Sequence, residues 1–499
     1  MFSRRQLFQA MGAAAVIRAA HARDRRPNLL FIIADDHAGY VLGAQGNRQA
    51  QTPNLDRLGA EGTRFARHYC NSPVCTPSRQ SILTGQLPHA AGVTVLKTPL
   101  DNGRPTLAKT LAGRGYSTAV FGKMHFNTPG RPGLHGFATA WTEDVVLQKW
   151  SDAVGPAPDF GPVRTKPPWR PMQDPARIWL NAEKLPFPRV YEQMKSTWTA
   201  AQACSYLEEH KDDAFALWVS FQEPHSPFDF PVEYRAKFDP AGFAVPAVGP
   251  EDAWQIPLIF RDLSPPEKQG IIAAYYTSVN YLDRNVGVVL ERLRRLRLDR
   301  DTLVVYMADH GYSLGQHGRF EKHCCYDPAM QVPLIMRWPG RIGRRVVEDF
   351  TESVDVPPTI LDMLGAEPFT IQHGQSLRPY LAGGRPAAPR SAIFSEYLEN
   401  EEACIRTARW KFIHSSGQRA RTDGYQTDHP TPGRIVRLFD LEKDPEEFHN
   451  VAGRYPEVAA ECSKQLLARF RSTHPEAAAE PSGLDPAAAT EWYLRPRDA

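Results

Sequence analysis

Six short clusters hold residues able to do chemistry. Asp35-Asp36-His37, Lys123-Met124-His125, Glu223-Pro224-His225 and Asp309-His310-Gly311 each follow an apolar run. Lys322 stands in a polar loop, and Cys75-Thr76-Pro77-Ser78-Arg79 opens a helical segment. Asp35, Asp36 and Asp309 offer hard oxygen ligands, a set that His310 or a carbonyl would complete. Oxygen-dominated sites favour Ca²⁺ or Mg²⁺ over zinc, whereas an imidazole nitrogen suits Mn²⁺ better than Ca²⁺. One divalent ion is expected, Ca²⁺ first, with Mg²⁺ and Mn²⁺ as alternatives. Lys123, His125, His225 and Lys322 around it would clamp an anionic tetrahedral group. Cys75 precedes a short helix, Pro77–Leu83, with Thr76 placed to cap it, Pro77 at its first position and Gly85 after its end. The helix dipole would stabilise an anion at Cys75, and Arg79 lies one turn on. Chemistry alone then suggests a reactive thiolate with His125 or His225 as base.

The elements that must position these residues are strands. Leu29–Ala34, Ser117–Phe121, Phe215–Phe221 and Leu303–Met307 are continuous apolar runs, the pattern of strands buried on both faces. Helical periodicity lies between them, most clearly over Pro266–Leu296, where Ile272, Tyr275, Val279, Leu282, Val286, Leu290 and Leu293 share a stripe. Strand and helix in alternation predict an α/β fold: a large doubly wound, mainly parallel sheet flanked by helices. Such sheets bind ligands beyond the carboxyl ends of their strands. Singly, an acidic pair after a strand is a cap or a solvated turn, and Lys322 a surface lysine. Four strand ends brought to one rim make a site. Beyond a Gly383–Pro389 connector, Ser391–Tyr397, Cys404–Ile413 and Arg434–Phe439 read as short antiparallel strands, followed by a helix near Pro456–Ser472. The expected division is a leader at 1–22, a catalytic domain at 23–383 and a C-terminal subdomain at 384–499. Pro475–Pro481 reads as an exposed loop.

The chain has 499 residues, with 59 Lys+Arg against 56 Asp+Glu. That balance makes no case for a nucleic-acid groove or a polybasic membrane patch. Residues 1–22 read as an export signal: Ser3-Arg4-Arg5-Gln6-Leu7-Phe8 resembles the twin-arginine motif, a short apolar run follows, and Ala20-His21-Ala22 has cleavage form. The signal carries Arg4, Arg5 and Arg18 and no acid, so the whole +3 balance belongs to it. Export by the twin-arginine machinery to the bacterial periplasm or beyond is expected, with no stable membrane anchor. Seven cysteines are an odd number and do not form a disulfide scaffold. Adjacent Cys324 and Cys325 would bond each other only under strain.

Cys75-x-Pro77-Ser78-Arg79 with Thr84-Gly85 resembles the signature of the formylglycine-dependent (type I) sulfatases, of the alkaline-phosphatase-like superfamily. The likeness runs through the chain. It covers Asn28–Asp36, Thr52–Leu58, Gly122-Lys123-Met124-His125, Pro224-His225-x-Pro227-Phe228, Ala308–Gly311 with Leu314-Gly315-x-His317-Gly318, and Leu438–Glu446 with Asn450. It implies that Cys75 is oxidised to formylglycine by a formylglycine-generating enzyme. The hydrate of that residue would ligate the metal and attack sulfur. Asp35, Asp36, Asp309 and His310 would be the other metal ligands, although the family often has Asn where His310 stands. Arg79 would hold the hydrate, and Asp309 would accept the nucleophile's proton. Lys123, His225 and Lys322 would bind sulfate, with His225 or Lys322 protonating the leaving oxygen. His125 would deprotonate the second hydroxyl and expel sulfate.

Three readings follow. The first is hydrolysis of a sulfate ester, on a sulfated glycan or small molecule. The second is a phosphonate monoester or phosphodiester hydrolase of the same superfamily, a relative that tends to lack the Lys123-x-His125 pair. The third is an exported, non-catalytic protein that binds sulfated ligands. Substrate choice is expected to lie in the Pro- and Trp-rich loops Asp144–Arg189 and Ala241–Leu263.

Overall fold

In the computed structural model, residues 26–163, 175–417, 425–427 and 433–498 are described. The predicted export signal lies outside them. Among the described residues no helix is long and apolar enough to cross a membrane.

The first strand, β1 (Asn28–Asp35), is buried along its whole length. Its alternate residues feed two different cores. Leu30, Ile32 and Ala34 pack in one with residues of α1 (Pro53–Glu61), α4 (Lys195–Glu209) and α5 (Pro265–Arg295). Leu29, Phe31 and Ile33 pack in the other with Leu107, Leu111, Ile360 and Leu361. A strand with both faces covered needs apolar residues at every position, which is why the run does not alternate. Each large apolar side chain so withdrawn from water contributes about 2 kcal/mol.

Eight strands form the sheet: β1, β2 (Thr63–Tyr69), β3 (Ser117–Gly122), β4 (Thr139–Trp141), β5 (Phe215–Pro224), β6 (Thr302–Ala308), β7 (Leu334–Arg337) and β8 (Arg345–Glu352). Their order is β4-β3-β5-β1-β6-β7-β2-β8. Only β7 runs antiparallel, to both its neighbours. The fold class expected from the sequence is the one observed. The long helix α5 starts on a capping box between Ser264 and Glu267 and ends on Arg292, Arg294 and Arg295, which complement its dipole.

A second sheet of β9 (Ala392–Tyr397), β10 (Glu402–Thr407), β11 (Trp410–Ser415) and β12 (Ile435–Asp440) is antiparallel throughout. Here the sequence reading is corrected. Cys404–Ile413 is not one strand but most of a hairpin, turning at Ala408-Arg409, where Thr407 Oγ1 accepts from the Trp410 amide at 2.9 Å. Helix α6 (Pro456–Thr473) falls where expected. The Pro475–Pro481 tract contains a 3₁₀ turn at Ala477–Ala479. An unforeseen helix, α7 (Pro486–Leu494), follows, capped by Asp485, which accepts from the amides of Ala487 and Ala488 at 2.9 Å.

Buried charges tie the two sheets together. Lys411 of β11 is fully buried and pairs with Asp327 at 2.5 Å and with Glu447. Burial opposes charge on Asp327, but Lys411 and Arg406 outweigh it and hold the carboxyl at about 2. A folded value below the unfolded one means stability that is complete above about pH 4 and lost as pH falls towards 2. Lys411→Met leaves the buried Glu447 carboxylate without its cation and Asp327 with Arg406 alone. It is expected to cost about 3–5 kcal/mol, read as a lower urea midpoint. An unchanged midpoint would refute the tie.

Candidate active site

Four adjacent parallel strands, β3-β5-β1-β6, form the middle of the large sheet. Asp35 ends β1, Lys123 follows β3, His225 follows β5 and Asp309 follows β6. The topology thus brings four distant clusters to one rim. Asp36 takes a left-handed turn, φ 66°. The Tyr275 hydroxyl pins that turn by donating to the Asp36 carbonyl at 2.5 Å and accepting from the Ala38 amide at 2.9 Å. Lys322 is not a surface lysine: it is 7% exposed and its Nζ donates to both Asp36 oxygens at 2.9 and 3.0 Å. The Asp36 amide donates to Asp309 Oδ1 at 3.2 Å.

Helix α2 (Cys75–Thr84) begins at Cys75 itself, not at Pro77. Thr76 does not cap it; its hydroxyl donates to the Leu96 carbonyl at 2.7 Å. Cys75 Sγ lies 3.6 Å from Asp35 Oδ1, 3.9 Å from Lys123 Nζ and 3.1 Å from His310 Nε2. A ring nitrogen of His310 thus stands against the sulfur, where the sequence suggests His125 or His225 as base, and a donor nitrogen of His225 lies within 4.8 Å of it. The expected thiolate is also corrected. Burial and the Asp35 charge outweigh Lys123 and Lys322 and push the Cys75 thiol up to about 12. The helix N-terminus does not overcome a dry pocket with a carboxylate in it.

Arg79 is wholly enclosed. Its Nε donates to Asp309 Oδ2 at 2.7 Å, and one terminal nitrogen donates to the Lys123 carbonyl at 2.5 Å and to Ser220 Oγ at 2.9 Å. The Ser78 hydroxyl donates to the Asp309 carbonyl at 2.5 Å. Lys123 pairs with Asp35. Burial raises Asp35, but Lys123, His225, Arg79 and Lys322 overcome it and hold the carboxyl well below its usual range. Burial raises Asp309 against the pull of Arg79. His125 and His225 are both pushed down, by burial and then by Lys123, His225 to about 3. His225 Nδ1 donates to the Ser226 carbonyl at 2.6 Å, which leaves Nε2 as an acceptor in the neutral ring. His125 Nδ1 is buried with no hydrogen-bond partner among the described residues. Gly122 has φ 111°, and a Cβ there would stand 1.8 Å from the Ser220 carbonyl oxygen, so only glycine fits.

Donor atoms of Asp35, Cys75, Asp309 and His310 all lie within 4.8 Å of one another, and so do those of Asp35, Asp36, Cys75 and His225. Three buried carboxylates and an imidazole fit a hard divalent ion. The structure brings together Asp35, Asp36, Cys75, Arg79, Lys123, His125, His225, Asp309, His310 and Lys322, whereas the His37 ring bonds the Tyr306 hydroxyl and the Val41 carbonyl and Glu223 accepts from Ser196. It adds Ser220, Gln80 and Glu143. Ser220 was legible as the one polar residue inside the Val219-Ser220-Phe221 run. Glu143 fell at the edge of the Asp144–Arg189 loop, which in fact opens with helix α3 (Glu143–Val154). Residues 164–174 of that loop lie outside the described ones.

Residues 27–366 match the sulfatase family profile, and residues 315–473 match that of the N-sulphoglucosamine sulphohydrolase C-terminal region. The choline-sulfatase of Rhizobium meliloti (strain 1021) is 27% identical, over 94% of this chain and 91% of that protein. An N-acetylglucosamine-6-O-sulfatase of Bacteroides thetaiotaomicron is 26% identical, over 89% of this chain and 86% of that protein. Among solved structures, the phosphonate monoester hydrolase from Silicibacter pomeroyi superposes with a TM-score of 0.75 at 25% identity. That match covers 91% of this chain and 97% of the other.

Proposed function

The chain belongs to the sulfatase family, and from that premise we propose that it hydrolyses a sulfate ester to the alcohol and inorganic sulfate. The residue that attacks sulfur is Cys75 after its conversion to formylglycine, with one divalent metal beside it. The observation that carries this reading is a buried cysteine at the mouth of α2, ringed by Asp35, Asp309 and His310, with Lys123 beside its sulfur. A neutral thiol is a poor nucleophile, so the placement of residue 75 makes sense if its side chain is changed.

Asp35, Asp36, Asp309 and His310 would hold the metal with residue 75. The ion supplies Lewis acidity and offsets charge on the transferred group. The hydrated formylglycine offers two hydroxyls on one carbon, so that forming its carbonyl releases what the first hydroxyl has bound. Arg79 orients residue 75 and keeps Asp309 beside it. Lys123 and Lys322 face the sulfate oxygens. Burial opposes the charge on each lysine, but Asp35 and Asp36 outweigh it and keep both protonated. Lys322 is then the acid for the leaving oxygen, since His225 is neutral with its one N–H already given to Ser226. His225 accepts and positions. His125, neutral and with an Nδ1 that has no partner among the described residues, takes the proton that frees sulfate.

The likeness to a phosphonate monoester hydrolase supports a second reading with the same residues. Turnover of an aryl sulfate is compared with that of a phenyl phosphonate ester and a phosphate diester. Preference for the sulfate by at least about tenfold in kcat/KM is expected; the reverse order would replace the first reading by the second. A panel of glycan, aryl and choline sulfates then sorts the alcohol. Export of the chain, with residues 1–22 removed, belongs to the same proposal. A mature N-terminus at Arg23 is its measure.

A further inference from the structure

The turn that carries Lys123 and His125 is held in an uncommon way. The Lys123 amide donates to the Ser220 carbonyl at 3.2 Å, and the Lys123 carbonyl accepts from Arg79 and the Ser220 hydroxyl. The amides of Met124 and His125 both donate to the Glu143 carboxylate, at 3.0 Å each. The carbonyls of Met124 and His125 both accept from Gln80 Nε2, at 3.2 and 2.9 Å. All six main-chain polar groups of residues 123–125 are thus bonded, five of them to side chains, while the sixth, the Lys123 amide, makes the last bond of the β3–β5 ladder. His125 is left-handed, φ 50°, a conformation that costs a non-glycine residue about 1 kcal/mol or more. Such a turn persists only where its surroundings determine it.

We infer that Glu143 and Gln80 are positioning residues that set where Lys123 Nζ and the His125 ring stand in the site. Glu143 is the first residue of α3 and Gln80 lies on α2, one residue after Arg79. They grip the same turn, one accepting twice and the other donating twice. The inference rests on the roles proposed above for Lys123 and His125. Neither clamp residue touches the ester, so their removal acts through displacement. A shift of about 1 Å in a catalytic group can cost about a hundredfold in rate.

Glu143→Gln keeps the shape but turns one acceptor into a donor facing an N–H. Gln80→Glu keeps the shape and turns the donor into an acceptor facing two carbonyls. Each, in the purified full chain, is expected to lower kcat for an aryl sulfate at least about tenfold and to raise KM, with the melting temperature little changed. Affinity for inorganic phosphate, a tetrahedral anion read by calorimetry, should fall at least about fivefold in both. Glu291→Gln is the control. Glu291 lies near the end of α5, where it accepts from Arg295 at the surface, and its loss leaves the turn untouched, so wild-type kinetics are expected. Should Glu143→Gln not fold, Gln80→Glu decides. Unchanged kcat, KM and phosphate affinity in the folded variants overturns the inference, and so does an equal loss in Glu291→Gln. A wild-type chain that turns over no sulfate ester, yet loses phosphate affinity in both variants, overturns the proposed function and leaves the positioning role standing.

Discussion

Cys75→Ala is expected to abolish sulfate-ester turnover, by about 10⁴-fold or more, with the fold intact. Removal of a covalent nucleophile costs losses on that scale. The substitution is mild for packing: one buried sulfur is lost from a pocket whose walls are charged, and the helix behind it, α2, is buried along its whole length. Arg79, Asp309 and Ser78 keep their mutual bonds without it. The companion measurement is the mass of the peptide that carries residue 75. In active protein it should show an aldehyde or its hydrate in place of the thiol. Full activity in protein that carries only thiol would sink the proposal. So would a Cys75→Ala variant that still turns over ester, since the remaining imidazoles would then be doing the chemistry.

Removal of the divalent ion should be nearly as damaging. Dialysis against a chelator is expected to lower kcat/KM by at least about 10³-fold and to reduce the melting temperature, because an ion bound only by the folded chain stabilises it. Asp35, Asp36 and Asp309 are fully buried, and the Asp36 amide donates to Asp309. Such carboxylates gain more from one divalent charge than from water that cannot reach them. Restoration by Ca²⁺, Mg²⁺ and Mn²⁺ in separate arms ranks the ions, and His310 Nε2 in the donor set favours Mn²⁺ over Ca²⁺ relative to an all-oxygen site. Elemental analysis of the protein as purified reads the metal without any assay. Full activity in protein shown to be metal-free would refute the metal's part.

Much of the site was legible because its parts are local. Strand runs such as Leu29–Ala34 announce themselves by composition. The residues after them are polar for a reason that the fold class supplies. The Cys75–Arg79 signature needs only five consecutive positions. The hairpin at Ala408-Arg409 was missed because no Gly or Pro marks it. Helix α7 was missed although Asp485-Pro486 is an ordinary helix start. Glu143 could not be singled out, since a carboxylate that grips two main-chain amides looks no different in sequence from one that faces water.

The amino-acid order by itself determined the four central strands, the residues that end them, and that a cysteine opens a helix near them. Tertiary structure alone decided the electrostatics. Arg79 meets Asp309 and Lys322 meets Asp36 across 230 and 286 residues of chain. Burial and the charges it encloses then set the state of each group. Burial leaves Cys75 a neutral thiol and His225 a neutral ring, while Asp36 keeps the buried Lys322 a cation against it. Charge in a protein depends on what lies within a few ångströms in space, and local sequence does not record that distance.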